Sequence, residues 1–241
     1  MRSRRCCLPG PMADVVAPNG SITVSSMGNI TATSVRALGG GDEDDIKLST
    51  LNNPNGTSNI TLGTVQASGQ GDVIIIVQDG TFSSGASGVT ADMVDLTVPG
   101  GANITPPANK ISITTTSAGN VTITRTTSTP LTVEKVSTAN GSSSISSQGD
   151  LTLGTITFLT NSDSNDIYAY SGGNLVVTLV KAGAYAVTQS EANALNGLLT
   201  SQGDVTLTAA GNVRGQSPQD GTPDVMGDEV RSTAGTIGLI E

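Results

Sequence analysis

The chain of 241 residues contains no histidine, no tryptophan and only two cysteines. Without histidine, the serine–histidine and cysteine–histidine pairs of nucleophilic enzymes cannot form, and neither can a histidine-ligated metal site. Cys6 and Cys7 are adjacent, and a thiol-based zinc or redox motif would need a second pair elsewhere in the chain. These absences exclude several common kinds of catalytic centre.

Aromatic and charged residues are also scarce, at 2% and 13% of the chain. Three tyrosines and two phenylalanines are too few rings to predict a stacking platform for single-stranded nucleic acid or for sugars. The net charge of -9 opposes binding to a phosphate backbone. No apolar run approaches the roughly 20 residues of a membrane-spanning helix. We therefore expect no nucleic acid partner and no membrane span.

Threonine and serine are abundant, with 33 and 27 copies that together make up a quarter of the chain. They alternate with aliphatic residues in short segments such as 111–114, 121–124 and 205–208. A period of two residues is typical of a half-buried β-strand. Helical periodicity is nearly absent, except that a serine precedes alanines and leucines at helical spacing over 190–199. The pattern predicts an all-β chain.

A tripeptide of glycine, Asn or Asp, and an aliphatic residue opens one β-rich segment after another. Its seven copies begin at Gly28, Gly71, Gly119, Gly149, Gly173, Gly203 and Gly211. The longest internal match pairs 147–153 with 201–207 and differs by one exchange of Leu for Val. Because glycine can adopt positive φ and Asn or Asp can bond its own backbone, we interpret each tripeptide as a corner between strands. Irregular spacing of the copies predicts that more than one corner in each coil uses it.

Two folds fit these segments, an antiparallel sandwich or barrel and a parallel β-solenoid made of stacked coils. A sandwich is expected to use two-residue hairpin turns and large aromatic core residues, whereas a solenoid has a narrow core of stacked aliphatic residues. We therefore predict an all-β protein with a right-handed parallel β-helix (β-solenoid) as a single domain over 19–241. A loop or short helix is expected near 188–200, and residues 1–18 are expected to be a disordered leader.

The segments 149–156, 165–175 and 203–213, with parts of the tail 223–238, resemble the repeats of filamentous-haemagglutinin-type bacterial adhesins and related large repetitive surface proteins. The resemblance implies a right-handed parallel β-helix, secreted or held at the outer-membrane surface of a bacterium, that serves as a shaft or adhesive stalk. Its partners would be glycans or proteins of a host or neighbouring cell surface and further coils of the same polypeptide. Because the family's secretion domain is not recognisable, we expect a fragment of a longer protein.

Two acidic clusters are the candidate sites for metal binding. Asp42, Glu43, Asp44 and Asp45 could bind Ca²⁺ through carboxylate oxygens, or they could form a solvated loop before a strand. Three glycines precede the cluster and depart from the calcium-binding nonapeptide pattern, which favours the loop. The second cluster, over residues 163–166, is interpreted in the same way as a corner before a strand.

An enzyme is the main alternative function, since β-helices also carry polysaccharide lyases and hydrolases. Such a site needs carboxylates paired across neighbouring coils, often with an Arg or Lys. The basic residues are scattered singly, at Arg36, Lys47, Lys110, Arg125, Lys135, Lys181, Arg214 and Arg231. No sequence spacing pairs them with carboxylates, so we predict a non-enzymatic protein without catalytic, cofactor-binding or metal-binding residues. A groove with convergent carboxylates on adjacent coils would favour the enzyme.

Overall fold

The computed structural model describes residues 5–6, 12–54, 56–84, 88–105, 108–183, 202–216 and 223–238. These residues form β-strands and contain no α-helix. Within the same part of the chain, no helix has the length and hydropathy needed to cross a membrane. The helix predicted near 188–200 lies outside the described residues. The chain divides into two compact units, the first made of 1–100 with 105–116 and the second of 101–104 with 117–241.

The first unit contains two parallel sheets whose strands alternate along the chain. One sheet comprises β1 (Arg5–Cys6), β3 (Ile22–Ser26), β5 (Ile46–Thr50), β7 (Val73–Ile76), β10 (Met93–Val98) and β12 (Lys110–Thr115), paired in that order. The other comprises β2 (Met12–Ala17), β4 (Ile30–Ala37), β6 (Ile60–Ala67) and β8 (Phe82–Ser84) in that order, and β9 (Val89–Thr90) also pairs with β6.

The second unit repeats this arrangement. Its first sheet has the order β14 (Leu131–Thr138), β16 (Leu151–Phe158), β18 (Leu175–Lys181), β20 (Asn212–Gly215) and β23 (Thr236–Ile237), with β21 (Val225–Met226) also paired with β18. Its second sheet has the order β11 (Ala102–Ile104), β13 (Val121–Arg125), β15 (Ser143–Ser147), β17 (Ile167–Ser171), β19 (Val205–Ala209) and β22 (Val230–Thr233).

The core of each unit is a set of in-register aliphatic stacks. One stack of the first unit consists of Ile46, Val73, Val94 and Ile111, and each of these side chains is fully buried. One stack of the second unit consists of Leu131, Leu151, Leu175 and Val213. Along each strand, the residues that alternate with the buried side chains face outwards, as the predicted period of two requires. The prediction of an all-β, parallel β-solenoid is confirmed.

The start of the strand region differs from the prediction. The structure places β2 inside the stretch 1–18 that was expected to be a disordered leader, and it pairs Val15 with Val35 and Ala17 with Ala37. The residues of β2 do not alternate regularly between inner and outer positions, and the pairing of β2 with β4 supplies the order that the local sequence pattern does not predict. The first described strand pairing of this sheet therefore begins at Met12, whereas the single domain over 19–241 stays a prediction.

The repeated tripeptide makes a reciprocal pair of hydrogen bonds between successive coils. The Asn59 N–H donates to Asn29 Oδ1 at 2.8 Å, and the Ile30 N–H donates to the Asn59 carbonyl oxygen at 2.8 Å. We call the bond from a backbone N–H to the Asn or Asp side chain of the preceding coil an Asx rung. The same pair of bonds recurs at Asp45 and Asp72, Asn120 and Ser142, Asp150 and Asn174, and Asp166 and Asp204. Each rung extends a parallel ladder beyond the start of its strand.

The tripeptide forms corners before strands of three different sheets. Gly28 precedes β4, Gly149 precedes β16 and Gly203 precedes β19, and these strands belong to three different sets of paired strands. The matching segments 147–153 and 201–207 therefore occupy different corners of the second unit. The prediction that more than one corner uses the tripeptide is confirmed.

The glycine of the tripeptide does not have the role predicted for it. Gly71 and Gly149 lie outside the positive-φ region, and so do the copies at Gly173, Gly203 and Gly211. A Cβ atom added at Gly71 would lie 2.6 Å from the Asp44 carbonyl oxygen, and one at Gly149 would lie 2.2 Å from that of Ser128. The prediction of a left-handed turn at this position is wrong. At Gly71 and Gly149, glycine is required because the preceding coil approaches too closely for a side chain.

We expect Gly71→Ala to lower the free energy of unfolding by about 1 to 3 kcal/mol, the usual cost of forcing extra atoms into a packed site. Gly28→Ala is the matched control, because it changes the same position of the tripeptide in the same unit. The atom nearest to a Cβ at Gly28 is Ser26 Oγ at 3.9 Å, an ordinary contact. Urea unfolding of both variants tests this account, and an equal loss in the two variants would contradict it.

Candidate functional site

The first acidic cluster, over residues 42–45, separates into buried and exposed side chains. Asp44 is 3% exposed, and its Oδ2 accepts the Gly41 N–H at 2.7 Å. Its Oδ1 accepts the N–H of Gly20, which lies 24 residues earlier in the chain. Asp42 and Glu43 are exposed. Asp44 thus ties its own loop to the preceding coil, a structural role that agrees with the predicted loop.

Three carboxylates of neighbouring coils line one corner of the first unit, and we call Asp45, Asp72 and Asp92 the acidic column. Asp45 Oδ1 accepts the Asp72 N–H at 2.9 Å, and Asp72 Oδ1 accepts the Met93 N–H at 3.1 Å. Lys110 of the following strand lies beside the column, with its Nζ 3.1 Å from Asp92 Oδ2. The fold therefore pairs a basic residue with a carboxylate across a separation that the sequence did not reveal.

The pKa of Asp72, the middle carboxyl group of the acidic column, is raised. Burial raises the pKa of Asp72, and the negative charges of Asp45, Asp92 and Asp42 raise it further, although the hydrogen bond from Met93 acts in the opposite direction. A carboxyl group of raised pKa beside an ionised one is the arrangement used in general acid–base catalysis. Among the described residues, no three side chains of His, Cys, Asp or Glu are grouped so that they could hold a metal ion.

The second acidic cluster, over residues 163–166, forms a corner as predicted. The Asn165 N–H donates to the Ser162 carbonyl oxygen at 3.0 Å, and the buried Asn165 side chain accepts the Gly141 N–H at 3.0 Å. Asp166 Oδ1 accepts the Asp204 N–H at 3.0 Å, which makes it one member of an Asx rung. These two side chains hold the corner to its neighbouring coils.

Two tyrosines lie together on the outer face of β17, where Tyr168 is 48% exposed and Tyr170 is 40% exposed. The Tyr168 hydroxyl donates to Asp166 Oδ2 at 3.2 Å, and the negative charge of Asp166 is the main cause of the raised pKa of Tyr168. Counting rings in the sequence did not show that two would share one face. Their spacing of two residues was the available signal, since i and i+2 point to the same side of a strand.

The other basic residues have varied surroundings. Arg231 forms an ion pair with Glu229, and both side chains are exposed. Arg125 is 5% exposed, its Nε donates to Thr127 Oγ1 at 3.2 Å, and burial lowers the pKa of its guanidinium. Arg214 is exposed on β20 and lines a groove.

This groove lies on β16, β18 and β20 of the second unit, next to the corner before β14, and has a volume of about 400 Å³. Strand register places Thr152, Val176 and Arg214 side by side across it. The complete lining is Pro130, Asp150, Leu151, Thr152, Asn174, Val176, Asn212 and Arg214. The groove could not be predicted from the sequence, because its residues come from three strands and from the corners before β14, β16 and β18, and they share no motif. The only signal was the tripeptide, since three of its Asx side chains line one edge.

Comparisons with known proteins identify no relative. No family model matches the chain, no curated protein matches it, and no solved structure matches it. The fold and the two candidate sites, the acidic column and the groove, are therefore the basis for inferring a function.

We expect Asp72→Asn to be more stable than the wild type at pH 7. The folded pKa of Asp72 lies above its unfolded value, so ionised Asp72 lowers the free energy of unfolding once the pH exceeds that folded pKa. Below the unfolded pKa both states are protonated, and the advantage of the variant should vanish. The gain should be small and reduced by salt, because the site is partly solvated. Urea unfolding at a series of pH values measures it.

Asp72→Ala is the control for that measurement. Asparagine keeps an acceptor for the Met93 N–H, whereas alanine removes both the charge and the acceptor. The alanine variant should therefore be less stable than the asparagine variant at every pH. A wild type that is as stable as Asp72→Asn at pH 7 would contradict the raised pKa.

We also expect chelation to leave the melting temperature unchanged. Asp44 and Asp45, the two inner members of the first acidic cluster, already accept hydrogen bonds from backbone N–H groups. Thermal melts with and without EDTA check this, and a decrease in EDTA that Ca²⁺ restores would show that the cluster holds calcium.

Proposed function

We propose that this chain is a non-enzymatic structural or adhesive segment of a secreted or surface-displayed bacterial protein, similar to filamentous-haemagglutinin-type adhesins. The observation that carries the proposal is the recurring Asx rung, which joins one coil to the next by the same pair of hydrogen bonds in both units. A protein stabilised only by contacts between neighbouring coils can be extended by adding coils. That property suits a shaft that presents a long lateral surface.

The outer faces of the second unit support an adhesive role. On its second sheet, strand register aligns hydroxyl side chains across successive strands, at Thr122, Ser144 and Thr206, and at Thr124, Ser146 and Thr208. Tyr168 and Tyr170 lie between the serines and the later threonines on this face. Tyrosine is enriched at interfaces because its ring is apolar and its hydroxyl can hydrogen-bond. A face of this composition suits contact with glycans or proteins of another cell.

The alternative is an enzyme that acts on extracellular polysaccharide, and the acidic column with Lys110 favours it. Its carboxylates come from neighbouring coils, and the pKa of Asp72 is raised. Against the enzyme, Oδ1 of Asp45 and Oδ1 of Asp72 already accept backbone hydrogen bonds that join the coils. The groove of the second unit has one acidic lining residue, Asp150, whereas glycoside hydrolysis uses two carboxyl groups.

We expect no turnover when the protein is incubated with a panel of acidic and neutral polysaccharides. Release of reducing ends reports hydrolysis, and formation of the unsaturated product of a lyase can be followed by its ultraviolet absorbance. Asp72→Asn serves as the matched variant, because it removes the carboxyl group whose pKa is raised and keeps a side-chain acceptor for the Met93 N–H. Cleavage by the wild type that Asp72→Asn abolishes would establish the enzyme in place of the adhesive segment.

A further inference from the structure

We propose that the groove on β16, β18 and β20 binds an acidic saccharide, with the carboxylate of a uronic acid on Arg214. The groove has a volume of about 400 Å³, within the range of about 300 to 1,000 Å³ that is usual for small-molecule sites. The inference rests on the proposed adhesive function and names the class of ligand that this surface would hold.

Arg214 supplies the positive charge of the site. It lies on the outer face of β20 beside Val176 of β18, and no ion pair joins it to a carboxylate among the residues that the structure describes. The guanidinium offers five N–H donors in a fixed planar fork, which matches the two oxygens of a carboxylate. Because no described carboxylate pairs with it, the Arg214 guanidinium favours an anionic ligand at this end of the groove.

The opposite end of the groove offers an acceptor for hydroxyl groups. Asp150 Oδ1 accepts two hydrogen bonds from Asn174, from the backbone N–H at 2.7 Å and from Nδ2 at 3.3 Å. These bonds leave Asp150 Oδ2 available to a ligand. Asp150 precedes β16, two strands away from Arg214 and two residues back along the strand direction, which places their Cα atoms about 12 Å apart. A ligand that spans the groove therefore needs an anionic group at one end and hydroxyl donors at the other.

The middle of the groove completes the match with a sugar. Asn174 Oδ1 accepts the Asn212 N–H at 3.1 Å, so the edge of the groove is fixed by an Asx rung. The exposed carboxamide of Asn212 and the hydroxyl of Thr152 can donate to or accept from sugar hydroxyls. Val176 provides a half-buried apolar floor between them for the C–H face of a ring.

Other ligand classes fit this groove less well. A nucleic acid backbone would need several cations to neutralise its phosphates, and Arg214 is the basic residue in the lining. A neutral saccharide would leave the guanidinium without a partner. An acidic peptide would offer fewer hydroxyl donors to Asp150 than a saccharide does. The chemistry of the lining therefore favours a sugar that carries both a carboxylate and free hydroxyl groups.

Calorimetric titration of the whole chain with trigalacturonate tests the proposal, and galactotriose is the neutral match. We expect saturable binding of trigalacturonate that weakens as salt is added, and binding of galactotriose that is about tenfold weaker or undetectable. Arg214→Gln should weaken trigalacturonate binding by about tenfold or more, and Arg214→Lys should recover part of the loss.

Arg231→Gln is the control variant, because it removes a cation from another sheet of the same unit, where the guanidinium is paired with Glu229. It should bind trigalacturonate as the wild type does. Arg214 is exposed, so thermal melts should show that its variants keep the fold. Equal losses in the Arg214 and Arg231 variants, unchanged binding by Arg214→Gln, or no binding by the wild type would each overturn the proposal.

Reducing ends measured in the same mixtures separate this inference from the proposed function. Cleavage of trigalacturonate would overturn the non-enzymatic function. Absence of both binding and cleavage would overturn the acidic-saccharide site and leave the structural role of the coils standing.

Discussion

The hydrogen bond from a backbone N–H of one coil to an Asn or Asp side chain of the preceding coil is the interaction on which the structure depends. Where a parallel strand begins, the chain turns and its N–H groups would lose their partners. The Asx rung supplies one, as at Asn29 and Asn59, and the reciprocal backbone bond locks the register of the strand that follows. The stacked aliphatic core follows from that register, because side chains of equal position then lie directly above one another.

The alternation of aliphatic residues with Thr or Ser is local, so the strands and their inner faces could be predicted from the sequence. The role of glycine could not be predicted, because glycine is the residue required both where φ is positive and where two coils approach closely. The acidic column and the groove depend on which coils are neighbours. Asx rungs join residues 21 apart at Asp72 and Met93 but 38 apart at Asp166 and Asp204, so no constant period could have brought the right side chains together.

Both candidate sites are by-products of the corners that hold the coils together. A rung uses one side-chain oxygen of Asp or Asn and leaves the rest of the group facing solvent, so a row of rungs is also a row of polar groups at a fixed spacing. What distinguishes the sites is the neighbouring residue. In the acidic column, the negative charges of neighbouring carboxylates raise the pKa of Asp72. In the second unit, Arg214 and Val176 add a positive charge and an apolar surface to the groove.

The Asx rungs also have a direction. In each rung the acceptor side chain belongs to the earlier coil and the donor N–H to the later one, from Asn29 and Asn59 to Asp204 and Glu229. A ribosome therefore produces the acceptor of each rung before its donor, whereas the bonds of Gly20 with Asp44 and of Gly141 with Asn165 have the opposite direction. Since domains fold from the amino terminus during synthesis, a coil that has already formed presents the acceptors of its rungs to the coil that is still emerging. Growth of the solenoid can thus proceed by templating, with each coil shaping the next in the order of translation.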